Sequence, residues 1–169
     1  MPLDKSMLLD FLEVLEGEIS QKITIVAVGG TAMTLLDLKP STIDIDFTIP
    51  KKDLEEFQRA KARVSSGFKI DIWTDGTVFS QTLPDDYLDK SFEIKTELKR
   101  IHLKALHPVD IVVTKIGRLN ARDLQDITAC IQKFNISKSQ VERRAKQVQY
   151  VGKEENYKAN LQYVLETCF

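Results

Sequence analysis

Two glycines and two aspartates carry the first chemical signal in this 169-residue chain. Gly29-Gly30 ends an apolar run, and Asp44-Ile45-Asp46-Phe47 follows after thirteen intervening residues. Glycines placed after a strand let backbone N–H groups approach a phosphate closely, and a helix that follows turns its positive end to the same anion. Gly29, Gly30 and Thr31 are therefore expected to hold a triphosphate. Aspartates two apart on a strand put both carboxylates on one face, with β-carbons about 7 Å apart, while Ile45 anchors the other face. Such a pair repels unless a cation lies between, and hard oxygen ligands of this kind suit Mg2+ or Mn2+. A third carboxylate from a neighbouring strand would complete a two-metal site. Asp71 is the first choice, with Asp75 and Glu93 as alternatives.

These residues need elements to position them. Residues 4–18 carry Met7, Leu8, Phe11, Leu12, Leu15 and Ile19 at helical spacing. Residues 23–28 form a short β-branched run that predicts a buried strand, and 31–38 a helix. In 42–49, Ile43, Ile45, Phe47 and Ile49 alternate with Thr42, Asp44, Asp46 and Thr48, the period of a strand with one polar face. Residues 51–64 read as helix. Residues 67–73 read as a third strand, with Lys69, Asp71 and Trp73 opposite Phe68, Ile70 and Ile72. Gly76, Pro84 and four aspartates mark 75–90 as a surface loop with a short helical turn. Strands are expected at 91–95 and 100–106, then helices at 109–119, 122–134, 138–150 and 154–168. Pro108 opens the first of these helices and Ser137 with Gln140 makes a capping box for the third. The expected fold class is α+β with a mixed sheet, divided into a core at 1–134 and C-terminal helices at 135–169 that pack on the core or on a partner.

The pattern Gly-Gly, spacer, Asp-x-Asp resembles the polymerase-beta-type nucleotidyltransferase superfamily. The longer string GGTAM...STIDIDF resembles the branch holding the type IV abortive-infection toxins and their small relatives. The resemblance covers roughly residues 20–130 and implies a polymerase-beta-like nucleotidyltransferase core. A second match lies at Lys115 and the segment Arg122-Asp123-Leu124-Gln125-Asp126. In that branch these positions belong to the active site, which implies that Lys115 steadies the phosphates and that Asp126 orients the lysine or the acceptor. Lysine acts there as a point charge. Arg122 is a further candidate for the nucleotide. The family usually has an arginine shortly before Asp-x-Asp, where this chain has Lys39-Pro40-Ser41-Thr42.

What the resemblance implies is transfer of a nucleoside monophosphate from a nucleoside triphosphate to an acceptor hydroxyl. The acceptor would be an RNA end such as that of tRNA, and the chain a toxin countered by an antitoxin protein. A small-molecule acceptor of the aminoglycoside type is a rival, and a binding module without turnover another. Composition fits a globular domain: 43% of residues are hydrophobic and the net charge is -1, which excludes a uniformly basic nucleic-acid coat. Basic charge is local. Residues 95–122 balance at +5 and residues 71–93 at -5, the first suiting a polyanion or a protein partner and the second a metal cleft. No apolar run spans a bilayer and the first twenty residues lack a leader layout, so no membrane contact and a cytoplasmic location are expected. Cys130 and Cys168 read as structural, Trp73 as packing, and His102 and His107 as outside the chemistry.

Overall fold

The computed structural model describes residues 2–169. Its centre is β1 (Ile23–Ala27), whose side chains are almost all buried, as a strand covered on both faces requires. Helix α1 (Lys5–Glu16) leads into it, capped by the Asp4 carboxylate accepting from Met7 N and burying Leu8, Phe11, Leu12 and Leu15. After β1 come α2 (Gly29–Leu35), β2 (Ile45–Ile49), α3 (Lys51–Lys61) and β3 (Ile70–Thr74). Two short strands, β4 (Thr77–Val78) and β5 (Gln81–Thr82), precede α4 (Tyr87–Lys90), β6 (Phe92–Glu93) and β7 (Ile101–Ala105). The chain then becomes helical through α5 (Pro108–Lys115), α6 (Ala121–Phe134) and α7 (Lys138–Gln147), passes β8 (Gln149–Tyr150) and ends in α8 (Glu154–Thr167).

The main sheet runs β3-β2-β1-β7-β6. It is mixed: β1 is antiparallel to β2 and parallel to β7, β2 is parallel to β3 across helix α3, and β6 is antiparallel to β7. The α+β expectation with a mixed sheet holds. The register sets Asp46 directly beside Asp71, so side chains from adjacent strands share one face. A second, three-stranded sheet, β4-β5-β8, joins the hairpin after β3 to the segment after α7.

Three expectations are corrected. The strand expected over 42–49 begins at Ile45, because Thr42 pairs instead with Leu3 and Ile43 is 58% exposed. Asp44 therefore stands just ahead of β2 rather than within it. The loop expected over 75–90 contains the β4–β5 hairpin as well as the helical turn. The helix expected over 138–150 stops at Gln147, and its last residues become β8. Among the described residues no helix is long and apolar enough to cross a membrane.

Candidate active site

Gly29 is where β1 turns into α2, with φ +53, a conformation glycine adopts without the steric cost of a Cβ. A Cβ on Gly29 would stand 3.5 Å from Asp46 Oδ2, and one on Gly30 only 2.8 Å from Thr42 Oγ1. The two glycines thus let the turn lie directly against the Asp44–Asp46 segment. Thr31 is fully buried beneath it. Its hydroxyl donates to Asp44 O (3.1 Å) and accepts from Asp46 N (2.9 Å), while Thr42 Oγ1 also donates to Asp44 O (3.0 Å). The Thr31 hydroxyl thus clamps the turn to the Asp44–Asp46 backbone, and the Thr31 side chain does not line the cleft.

Gly29, Gly30, Asp44, Asp46, Asp71, Lys115, Arg122 and Asp126 all line one open cleft of about 600 Å³. Burial first, then the charges of Asp71 and Asp44, push the Asp46 carboxyl up to about 6, against the opposing pull of Lys115 and Lys69. Lysines supply counter-charge to these carboxylates. Lys69 Nζ holds Asp71 Oδ2 at 3.1 Å. Lys115, at the end of α5 and 6% exposed, sits 2.9 Å from Asp126 Oδ2 and 3.7 Å from Asp123 Oδ1. Lys39 reaches Asp126 from the other side at 3.4 Å. Arg118 grips Asp123 with two bonds of 2.7 Å; burial would raise that carboxyl, but Arg118 and the Asn120 N–H hold it below its usual range.

The carboxylates of Asp44, Asp46 and Asp71 fit a hard divalent cation in kind, since Asp46, whose proton affinity burial and the neighbouring Asp71 and Asp44 charges raise, is a group that a cation would relieve. They do not form a ready-made cage: among the described residues no group of three His, Cys, Asp or Glu is set to hold a metal, and Lys69 occupies Asp71. The alternative third ligands lie elsewhere. Asp75 accepts from Lys51 N, and Glu93 pairs with His102; neither lines the cleft. His107 serves the start of α5, its Nδ1 accepting from Val109 N, and burial lowers its pKa. Cys130 and Cys168 are free thiols, the first buried.

Sequence reasoning gave no role to Lys39, Lys69 and Phe79, all of which line the cleft. Lys69 had a signal, its place two residues before Asp71 on the same polar face. Lys39 stands where the resemblance asks for an arginine, and Phe79 sits in a segment read as loop. An RNA acceptor asks for Lys99, Lys104 and Arg118 on a continuous surface into the cleft; Arg118 lines it and the two lysines do not. Lys104 turns to Leu88 O, and Lys99 lies beyond the start of β7, which pairs with the start of β1, whereas the cleft opens at β1's far end.

No curated protein matches the chain. A crystal structure of an antigenic nucleotidyltransferase-like protein from Paracoccidioides brasiliensis has a similar fold, with a TM-score of 0.50 and 18% identity over 96% of this chain and 95% of that one. A family model described as "Nucleotidyltransferase of unknown function (DUF6036)" matches residues 6–167, and the chain belongs to that family.

Proposed function

We propose that the chain transfers a nucleoside monophosphate from a nucleoside triphosphate to an acceptor hydroxyl. The observation that carries this reading is the convergence of the Gly29–Gly30 turn, Asp44, Asp46, Asp71 and Lys115 on one cleft. The acceptor hydroxyl loses its proton to water as its oxygen bonds to the α-phosphorus, the bond from the α-phosphorus to the oxygen bridging it to the β-phosphorus breaks, and pyrophosphate leaves. Gly29 and Gly30 receive the triphosphate against backbone N–H groups at the first turn of α2, which have no partners within the helix. Lys115 and Arg122 supply positive charge beside it, and Asp126 holds Lys115 Nζ in place. Mg2+ or Mn2+ bound by Asp44 and Asp46, with Asp71 released from Lys69, would supply Lewis acidity at the phosphate and acceptor oxygens. Positioning and fixed charge then provide most of the rate.

By resemblance the acceptor is an RNA end such as that of tRNA, in a toxin held by an antitoxin and acting in the cytoplasm. A small-molecule acceptor is the second reading, favoured by the distance of Lys99 and Lys104 from the cleft, which breaks any basic track leading into it. The deciding experiment incubates each nucleoside triphosphate, radiolabelled at the α-phosphate, with Mg2+ or Mn2+ and either total tRNA or a panel of small hydroxyl acceptors. Label transfer that disappears in Asp44→Asn is expected. Nucleotide binding without transfer to any acceptor would overturn the enzyme reading in favour of a binding module.

A further inference from the structure

Lys115 is almost wholly buried and yet lines the cleft, so a small shift of its stem decides how far the ammonium projects. Asp126 and Asp123 hold the ammonium end. The backbone end is held by the C-terminal part of the chain. Lys115 is the last residue of α5, and the last carbonyls of a helix have no partners within it. Side chains of α8 reach carbonyls on both sides of Lys115. The buried Tyr157 donates its hydroxyl to Val113 O at 2.8 Å, two residues before the lysine. Asn160 Nδ2 donates to Ile116 O at 2.9 Å and to Gly117 O at 3.4 Å, immediately after it. Tyr157 and Asn160 are three residues apart and so share one face of α8, which is why both meet the same turn. The carbonyl of Lys115 itself accepts from Leu119 N at 3.1 Å. From the small sheet, Gln81 and Tyr150 close over Gly117, where a Cβ would stand 3.0 Å from Gln81 Oε1 and 3.1 Å from the Tyr150 ring, and Tyr150 packs on Tyr157 with ring centroids 5.4 Å apart.

We propose that Asn160 and Tyr157 are positioning residues for Lys115: by holding the carbonyls of Val113, Ile116 and Gly117 they fix the roll of the last turn of α5, and with it the place from which the ammonium meets the triphosphate. This rests on the nucleotidyl-transfer reading, in which Lys115 steadies the phosphates, and gives the C-terminal helix a part in that task. A lysine stem is flexible and costs entropy to order, so the carboxylates at its tip define one geometry only if its Cα is fixed as well. Supporting bonds behind a ligand-binding side chain do this, and a misplacement of about 1 Å costs about a hundredfold in rate. Neither Asn160 nor Tyr157 lines the cleft. Their influence on a bound phosphate therefore passes through Lys115.

Binding of inorganic tripolyphosphate to the whole chain in Mg2+, followed by titration calorimetry, tests the assignment. Wild type is compared with Lys115→Met, Asn160→Leu, Tyr157→Phe and the double variant Lys115→Met with Asn160→Leu, and thermal melts show that each is folded. Tyr157→Phe keeps the ring and its packing and removes only the hydroxyl. Lys115→Met should weaken binding about tenfold or more, and Asn160→Leu and Tyr157→Phe about fivefold each. In the Lys115→Met background, Asn160→Leu should cost nothing further, whereas a general loosening of the cleft would weaken binding whether or not the lysine is present. Unchanged affinity in both Asn160→Leu and Tyr157→Phe, or a loss from Asn160→Leu that adds in full to that of Lys115→Met, would overturn the positioning role while leaving nucleotidyl transfer standing. A wild type that binds no tripolyphosphate, or a Lys115→Met variant that binds it equally well, would overturn the phosphate-holding role of Lys115 and this inference with it.

Discussion

Gly30 shows how tightly one atom is specified. The missing Cβ makes room for Thr42 Oγ1, which in turn bonds Asp44 O. Gly30→Ala should cost about 1–3 kcal/mol by overpacking, seen as a lowered urea midpoint, and adding Thr42→Ala should restore part of it. Asp46 works in the opposite sense. Its folded-state pKa of about 6 lies above the 3.8 expected unfolded, so the native state binds the proton more tightly and loses stability as pH rises from about 4 to 6. At pH 7 the whole penalty is present. In chelator, Asp46→Asn should therefore raise stability at pH 7, by on the order of 2–3 kcal/mol, and leave it nearly unchanged below pH 4, while transfer is lost; equal shifts at both pH values would contradict the cause. Gly29, Gly30 and Asp46 were legible because short-range spacing and strand alternation are written along the chain, and Asp44 by its spacing alone, since it stands ahead of β2. Thr31's burial was not, since a hydroxyl beside a glycine turn fits a ligand and a clamp equally until the partner backbone is known.

At the scale of elements, Glu56 on α3 closes the turn before β1. Its Oε2 accepts from Ser20 N (2.8 Å), Gln21 N (3.2 Å) and Ser20 Oγ, and its Oε1 from Arg59 Nε (2.6 Å). The Arg59 bond first, then those from Ser20, pull its pKa down to about 2 from 4.5. A lowered carboxyl stabilises the fold fully above the unfolded value and loses that contribution as pH falls from about 4.5 to 2. Glu56→Gln should flatten the acid limb of a stability-versus-pH curve across that window and lower stability at neutral pH; an unchanged limb would show that the turn closes by other means. Nearly every main strand and helix was legible from periodicity. The exceptions have physical reasons. β4, β5 and β8 are two residues each, too short for alternation to register, and the start of β2 moved because Thr42 found its partner in Leu3. The Asn120–Asp123 capping box of α6 uses amide and aspartate in place of the Ser and Gln that mark α7.

Across the whole molecule, the C-terminal helices are held to the sheet-bearing part by buried polar contacts between distant residues. Arg144 on α7 makes two bonds to Asp110 on α5 (2.5 and 3.0 Å) and one to Asp86 (2.9 Å). Tyr157 and Asn160 on α8 donate to the Val113 and Ile116 carbonyls. Removing one partner leaves the other charge buried, so Arg144→Met should destabilise by about 3–5 kcal/mol. The double variant Asp110→Leu with Arg144→Met should recover much of that loss in chemical denaturation, and additive losses would contradict a direct pair. None of this was legible, because a pair 34 residues apart leaves no periodic trace. The small sheet carries this dependence into the order in which the molecule is completed. β5 takes its outer neighbour from residues 149–150, with Val151 N also bonded to Ser80 O. A ribosome releasing the chain from its N-terminus exposes the glycine turn and all three aspartates long before those residues emerge. The aromatic tip of the hairpin stays without its flanking strand until then, so the newborn protein holds its acidic residues well before the mouth of the cleft can settle.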